Sequence, residues 1–287
     1  MTMKTLKDMI DMIELPKMVR DELLSIETTL SLQKKNDEKH IQNLTTPHLW
    51  ESSQQYLKKS LEPDKNGFKI LSYMLSSACY SLEKYKEKGI SEQIFIDTMK
   101  CFSRFIKEHK ERYGFYGFDR DFWTGRQLSL QLFRLGELEF ETTIENQEKV
   151  VSVHVPSDTI LTEENCRNSL EIAGEFFKKY APDYVKVPYV CHSWLLSPAL
   201  KELLPESSNI IKFQNLFTII EVDKTSMNFM MWLYKKSDVS IENLPENTSL
   251  QRNVKRYLMA GGKIGDGRGY IKNQKKPKIS FGSQSFR

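Results

Sequence analysis

Apolar positions in the first third of the chain recur at helical spacing. Met3, Leu6, Ile10 and Ile13 fall on one face ahead of Pro16, and Val19, Leu23, Ile26 and Leu30 repeat the spacing after it, which predicts two antiparallel helices. After Pro47 a segment runs through Leu61. Phe68, Leu71, Leu75, Ala78, Leu82 and Tyr85 then form a stripe that stops at Gly89, a residue suited to the left-handed position that closes a helix. Ser91 is a candidate N-cap for a further helix whose inner face is Ile94, Phe95, Met99, Phe102 and Ile106, ending near Gly114. The pattern describes a bundle of about five helices, with Phe115 to Asp121 as its far boundary.

Beyond Trp123 the period shortens towards two. Leu128, Leu130 and Leu132 alternate with polar residues, the phase slips around Arg134-Leu-Gly136, and Leu138 and Phe140 resume it, as in a strand with a bulge or bend. Asn146-Gln-Glu turns the chain into a second strand with Val151, Val153 and Val155 on one face and Ser152 and His154 on the other, so the two form an antiparallel hairpin. Thr162, followed by Glu163 and Glu164, caps a helix with the stripe Cys166, Leu170, Ala173 and Phe177. Val187 to Leu196 reads as a buried strand, Ser197-Pro198 as the start of a short helix, and Phe217 to Val222 and Phe229 to Tyr234 as two more strands. Leu250, Val254, Tyr257 and Leu258 mark a last helix ending at Gly261. The fold class is therefore α+β: an all-α bundle at residues 1–117, a mixed α/β domain at 118–272, and a tail at 273–287.

Three stretches carry a resemblance: Ser152-Val-His-Val-Pro-Ser-Asp158, the helix from Glu164 to Phe177, and Val190-Cys-His-Ser-Trp-Leu-Leu-Ser-Pro198 continuing to Ser208-Asn-Ile-Ile-Lys-Phe213. Together they resemble a family of bacterial GNAT-like acyltransferase-domain proteins, in which a helical N-acyltransferase region precedes a GNAT-like C-terminal domain. The resemblance implies transfer of an acyl group from acyl-CoA or acetyl-CoA to an amine or similar nucleophile on a small-molecule or peptide acceptor. One departure stands out. The GNAT pattern Arg/Gln-x-x-Gly-x-Gly/Ala, whose backbone amides cradle the pyrophosphate, is replaced by Pro156-Ser-Asp-Thr-Ile-Leu-Thr162, which has no glycine and leads into two acids. Either CoA binds differently here or CoA binding has been lost. A substitute cradle is Gly261-Gly-Lys-Ile-Gly-Asp-Gly-Arg-Gly269, where Lys263 and Arg268 would meet phosphate and Gly265 and Gly267 would present amides; a structural loop is the competing reading.

Thioester aminolysis needs a base for the amine and an acid for the leaving thiolate. His154, near a strand end, is the candidate base. Tyr189 is the candidate acid, and Cys191 is a candidate to pair with His154 across adjacent strands as a thiol–imidazole couple; core packing is the alternative for both. Cys191 and His192 alternate in direction along their strand and do not face each other. His154, Cys191 and His192 show no metal-ligand spacing, so no metal is expected.

Charge adds one feature. The net charge is +4, yet residues 252–287 hold ten Lys/Arg and one acid, Asp266, leaving 32 basic and 37 acidic residues elsewhere. With Tyr257, Tyr270, Phe281 and Phe286 among the terminal cations, a non-catalytic GNAT-shaped scaffold whose basic end docks protein or nucleic acid is the alternative to an enzyme. The four cysteines are far apart with no C-x-x-C pair, no run of eighteen apolar residues occurs, and the N-terminus lacks a secretory pattern. A cytoplasmic protein with reduced, buried thiols and no membrane partner is expected.

Overall fold

The computed structural model describes residues 3–236, 239–272 and 276–278. The chain divides into two compact units, Met1–Leu135 and Gly136–Arg287.

The first unit is helical: α1 (Leu6–Met12), α2 (Lys17–Thr29), α3 (Ser31–Asn36), α4 (Glu38–Asn43), α5 (Trp50–Ser60), α6 (Phe68–Glu87), α7 (Glu92–Met99), α8 (Cys101–Tyr113) and α9 (Asp121–Leu128), closed by the short strand β1 (Leu132–Leu135). The helices outnumber the expected five because single residues interrupt the periodic stretches: Leu30 between α2 and α3, Asp37 between α3 and α4, and Lys100 between α7 and α8. The unit also extends past residue 117, since α9 packs on α5 and α6. The Leu128–Leu132 alternation is the end of a helix, a left-handed Leu130, and then a strand, not one bent strand.

The twenty-residue α6 organises this bundle. It is buried on most of its circumference, from Phe68 and Leu71 to Tyr85, with α1, α2, α4, α7 and α9 around it. Gly67 begins it at φ +70°, where a Cβ would lie 1.9 Å from the Phe118 carbonyl oxygen, so no side chain fits. The burial is not wholly apolar. Lys34 Nζ reaches the hydroxyls of Ser72 (2.9 Å) and Ser76 (2.8 Å) and the Glu27 carboxylate. Burial pushes its ammonium below the ordinary lysine value, opposed by the hydrogen bond and charge of Glu27.

The second unit carries β2 (Leu138–Glu145), β3 (Glu148–His154), α10 (Glu163–Tyr180), β4 (Tyr189–Ser193), α11 (Leu200–Leu203), α12 (Asn209–Gln214), β5 (Phe217–Asp223), α13 (Asn228–Tyr234), α14 (Ser249–Met259) and β6 (Asp266–Ile271). Its strands lie in the order β2-β3-β4-β6-β5. The β2–β3 hairpin runs in register from Glu139↔His154 to Glu145↔Glu148 around Asn146 and Gln147, both at positive φ as a tight hairpin turn requires. Thr162 Oγ1 caps α10 by accepting the Asn165 amide at 3.2 Å, and Cys166, Ser169, Ala173, Phe176 and Phe177 are buried.

Two expectations are corrected here. Phe229–Tyr234 is helix, not strand: Phe229, Met230 and Tyr234 point inward around one face, and a short apolar run alone does not separate the two periods. The glycine-rich segment contributes the inner strand β6, concealed in the sequence because Gly267 and Gly269 carry no side chain to show alternation. Of the tail, Lys278 is described: its amide donates to Glu148 Oε2 (2.8 Å) and its carbonyl accepts from Asn146 Nδ2 (3.3 Å). Phe281 and Phe286 lie outside the described residues.

Truncating Lys34 leaves an empty site and removes the partner of the buried Ser72 hydroxyl, while Ser76 keeps the Ser72 carbonyl (2.9 Å) and the half-exposed Glu27 carboxylate turns to water. Lys34→Ala is expected to lower stability by about 1–3 kcal/mol, read as a reduced urea midpoint at unchanged slope.

Candidate active site

One strand pair in the second unit is parallel, and it is short. β3 and β4 pair at Val151↔Tyr189 and Ser152↔Val190, although β3 continues to His154 and β4 to Ser193. Their paired register ends short of both carboxyl ends, which is where open α/β sheets accept ligands. Connectivity brings the start of α10, which follows β3, to this same end.

Alternation sorts the lining residues onto two faces. Val151, Val153, Tyr189 and Cys191 look towards α10: Tyr189 packs against Phe177 (ring centroids 6.0 Å) and Phe140 (6.1 Å). Ser152, His154, Val190 and His192 look the other way. His154 Nε2 lies 2.9 Å from Glu141 Oε2, with both side chains part-buried at 25% and 14% exposure. An imidazole held by a carboxylate is oriented and, once protonated, stabilised, the arrangement that suits a base. Glu141 was not singled out from sequence, though its signal was present: Glu139 and Glu141 alternate with Leu138 and Phe140 across the hairpin from His154.

The face assignment separates the remaining candidates from His154. Cys191 is 1% exposed on the opposite face, so the thiol–imidazole couple is not formed. Burial pushes the Cys191 thiol up to about 12, with a smaller contribution from the Asp266 charge, and pushes the Tyr189 phenol up to about 12. Both side chains belong to the core under α10.

The glycine run is likewise not an open cradle. Gly267 and Arg268 sit in β6 with strands on both sides, and the Arg268 guanidinium is buried against Glu145 (Nη2 to Oε2, 2.6 Å). A Cβ on Gly267 would lie 2.4 Å from the Leu196 carbonyl oxygen, and one on Gly265, at φ +67°, would lie 2.3 Å from that of Asp223. These glycines admit backbone: the Ser193 hydroxyl accepts the Leu195 amide (3.2 Å) and turns Trp194–Leu196 over β6. Lys263 is exposed and stands just ahead of this strand, where the Gly261 and Gly262 amides are taken by the Leu258 and Tyr257 carbonyls (2.9 Å each).

The Pro156–Thr162 loop offers few amides either. Those of Thr159, Ile160 and Thr162 are taken by Pro156 O (3.1 Å), Glu137 Oε2 (2.9 Å) and Ile160 O (2.8 Å). Beside it, however, the first half of α10 and the helix α12 flank an open cavity of about 760 Å³ lined by Thr162, Asn168 and Asn209, the cations Arg167 and Lys212, and the acids Glu163, Glu164 and Glu171. Glu163 meets Arg167 (2.7 Å), which offsets the charge of one of the two acids at the helix start. Among the described residues, no group of three or more His, Cys, Asp or Glu is placed to hold a metal ion, and no helix is long and apolar enough to cross a membrane.

This order of strands and helices, with a parallel pair parting beside a crossover helix, is that of the GNAT class. Residues 132–271 match the GNAT-like C-terminal domain and residues 4–130 match the N-acyltransferase N-terminal domain, and the chain belongs to the proteins that join the two. In fold it is similar to a crystallised acyltransferase in complex with decanoyl-CoA and teicoplanin, with a TM-score of 0.78 at 20% identity over 93% of this chain and 87% of that one. A tryptophan-to-alanine mutant of the acyltransferase orf11*, in complex with octanoyl-CoA, gives the same figures. A further complex, with CoA and 10C-teicoplanin, gives a TM-score of 0.77 at the same identity and coverage. No curated protein matches the chain.

All four cysteines are buried. Native protein at pH 8 is expected to leave them unreacted with a disulfide reagent, and denatured protein to titrate all four. Burial raises Cys79 and Cys191 to about 12 and Cys166 to about 11 from the usual value of 9.0, so above that pH the unfolded chain releases protons that the folded chain keeps. Stability is expected to fall as pH rises from 9 towards 11. Gly267→Ala is expected to cost about 1–3 kcal/mol, because the obstacle is backbone; thermal unfolding measures it.

Proposed function

We propose that the protein transfers an acyl group from acyl-CoA to an amine. The observation that carries this reading is the parting of β3 from β4 with the His154–Glu141 pair at its edge. The domain pair and the fold shared with acyltransferases holding decanoyl-CoA and octanoyl-CoA support it. A cytoplasmic location, where acyl-CoA is made, accords with it.

In this reaction the thioester lies in the gap. His154 takes a proton from the acceptor ammonium, and the neutral nitrogen attacks the thioester carbonyl carbon. The carbon–sulfur bond then breaks as the attacking nitrogen gives up its second proton, leaving an amide N–H, and an equivalent proton ends on the CoA thiolate. Glu141 holds the imidazole in position as the amine is relieved of its proton. With the Thr159, Ile160 and Thr162 amides and those of β6 engaged, we assign recognition of the CoA phosphates mainly to side chains: Lys212 in the α10–α12 cavity, and Arg167 once it exchanges Glu163 for phosphate. The acceptor amine belongs to a small molecule or peptide, with teicoplanin, which a relative binds, as the first probe.

Calorimetric titration with decanoyl-CoA and octanoyl-CoA is expected to show saturable binding that survives moderate salt. Arg167→Glu combined with Lys212→Glu is expected to weaken it by roughly tenfold or more while leaving kcat near wild type. His154→Ala is expected to keep binding and lower kcat by about 10²–10⁴-fold, read as thiol release in the presence of amine. No saturable binding by folded protein would replace this reading with a GNAT-shaped scaffold whose basic end meets macromolecules.

A further inference from the structure

The acyl-transfer reading leaves one role unfilled. An alkyl thiolate leaves faster when its sulfur is protonated as the carbon–sulfur bond breaks, and Tyr189, the side chain that sequence suggested for this, is buried in the core on the far face. The replacement must stand on the face that carries His154, at the same end of the sheet, on the other side of the gap.

The strand registers identify one residue that does. Counting on from Val151↔Tyr189 and Ser152↔Val190 brings His154 level with His192 across the parting of β3 and β4, with both side chains on the same face. The row continues in both directions, since Glu139 is opposite His154, and Arg268 is opposite both His192 and Glu221. One imidazole thus stands on each lip of the gap. They differ in setting: His154 is part-buried against Glu141, whereas His192 is exposed. Among the charges on the neighbouring strands, Arg268 is held by Glu145 at 2.6 Å, Asp266 is held by Asn228 at 2.6 Å, and Asp223 lies within electrostatic range of His192. The Asp223 carboxyl is itself held below its ordinary value, chiefly by hydrogen bonds from the Thr225 hydroxyl and amide, with the His192 charge a lesser cause.

We propose that His192 is the catalytic acid of the reaction, donating a ring proton to the departing CoA sulfur while His154, from the opposite lip, accepts the proton of the amine. The assignment rests on the acyl-transfer reading. The protons balance: the ammonium gives up two on becoming an amide N–H, one reaches bulk solvent through His154, and the other replaces the proton that His192 gave to sulfur.

The test varies the leaving group. Wild-type protein, His192→Asn and His192→Gln are compared, with folding verified by circular dichroism, using decanoyl-CoA and the S-nitrophenyl thioester of decanoic acid, whose thiolate leaves without a proton. With decanoyl-CoA both variants are expected to lose about 10²-fold or more in kcat/KM, and with the aryl thioester less than about threefold. His154→Ala, removing the base, is expected to lose activity on both thioesters. Equal losses by the His192 variants on the two thioesters, or no loss on decanoyl-CoA, would overturn the assignment and leave acyl transfer standing. Wild-type protein that turns over neither thioester with any of a panel of an amino sugar, an alkylamine and teicoplanin would overturn acyl transfer itself, and the acid role with it.

Discussion

The second unit depends on a conflict between two neighbouring strands. β3 and β4 run parallel, and each must satisfy its backbone hydrogen bonds, yet they share only two residue pairs before separating. On its other side β3 is held along its length by β2, and β4 by β6, so each half of the sheet is firmly tied while the seam between them is short. The helix α10 covers one face of that seam with Phe177 and its neighbours, which fixes Tyr189 and Cys191 as packing residues and leaves the opposite face for polar chemistry. The sorting of side chains into core and site follows from this geometry and the two-residue period of a strand.

A different solution serves the helical unit, where α6 is enclosed by other helices and its buried polar groups need partners. Lys34 supplies three donors, and Ser72, Ser76 and Glu27 receive them. Asp121, also buried, is met by Gln54 and by Lys58 at 2.9 Å. The links from Lys34 to Ser72 and Ser76 and from Asp121 to Gln54 and Lys58 tie α6 or α9 to a helix distant in sequence, so polar contacts help fix which faces meet.

Much of this was legible from residue order alone. The alternation of Val151 and Val153 with Ser152 and His154 assigns the faces of β3, and Thr162 followed by two acids marks the start of α10. The elements misread share a cause: their signal is not local. Asn228–Tyr234 is apolar enough for either period, and its helical choice follows from packing against Val254 and Leu258 of α14. The strand β6 has too few side chains to announce itself, and its glycines make sense only once Leu196 and Asp223 are known to press against it. The partner of His154 needed the hairpin register, which depends on the turn at Asn146-Gln147.

The position of β6 has a consequence for how the unit is made. It is the last strand in sequence but an inner one in space, inserted between β4 and β5. Until synthesis has passed Ile271, the nascent chain carries two strands whose facing edges have nothing to bond to, and such edges are where foreign chains add. The sheet is therefore assembled from its margins inward. A chain cut before residue 266 would be left with an open sheet rather than a shortened one, whatever becomes of the helices already folded upstream.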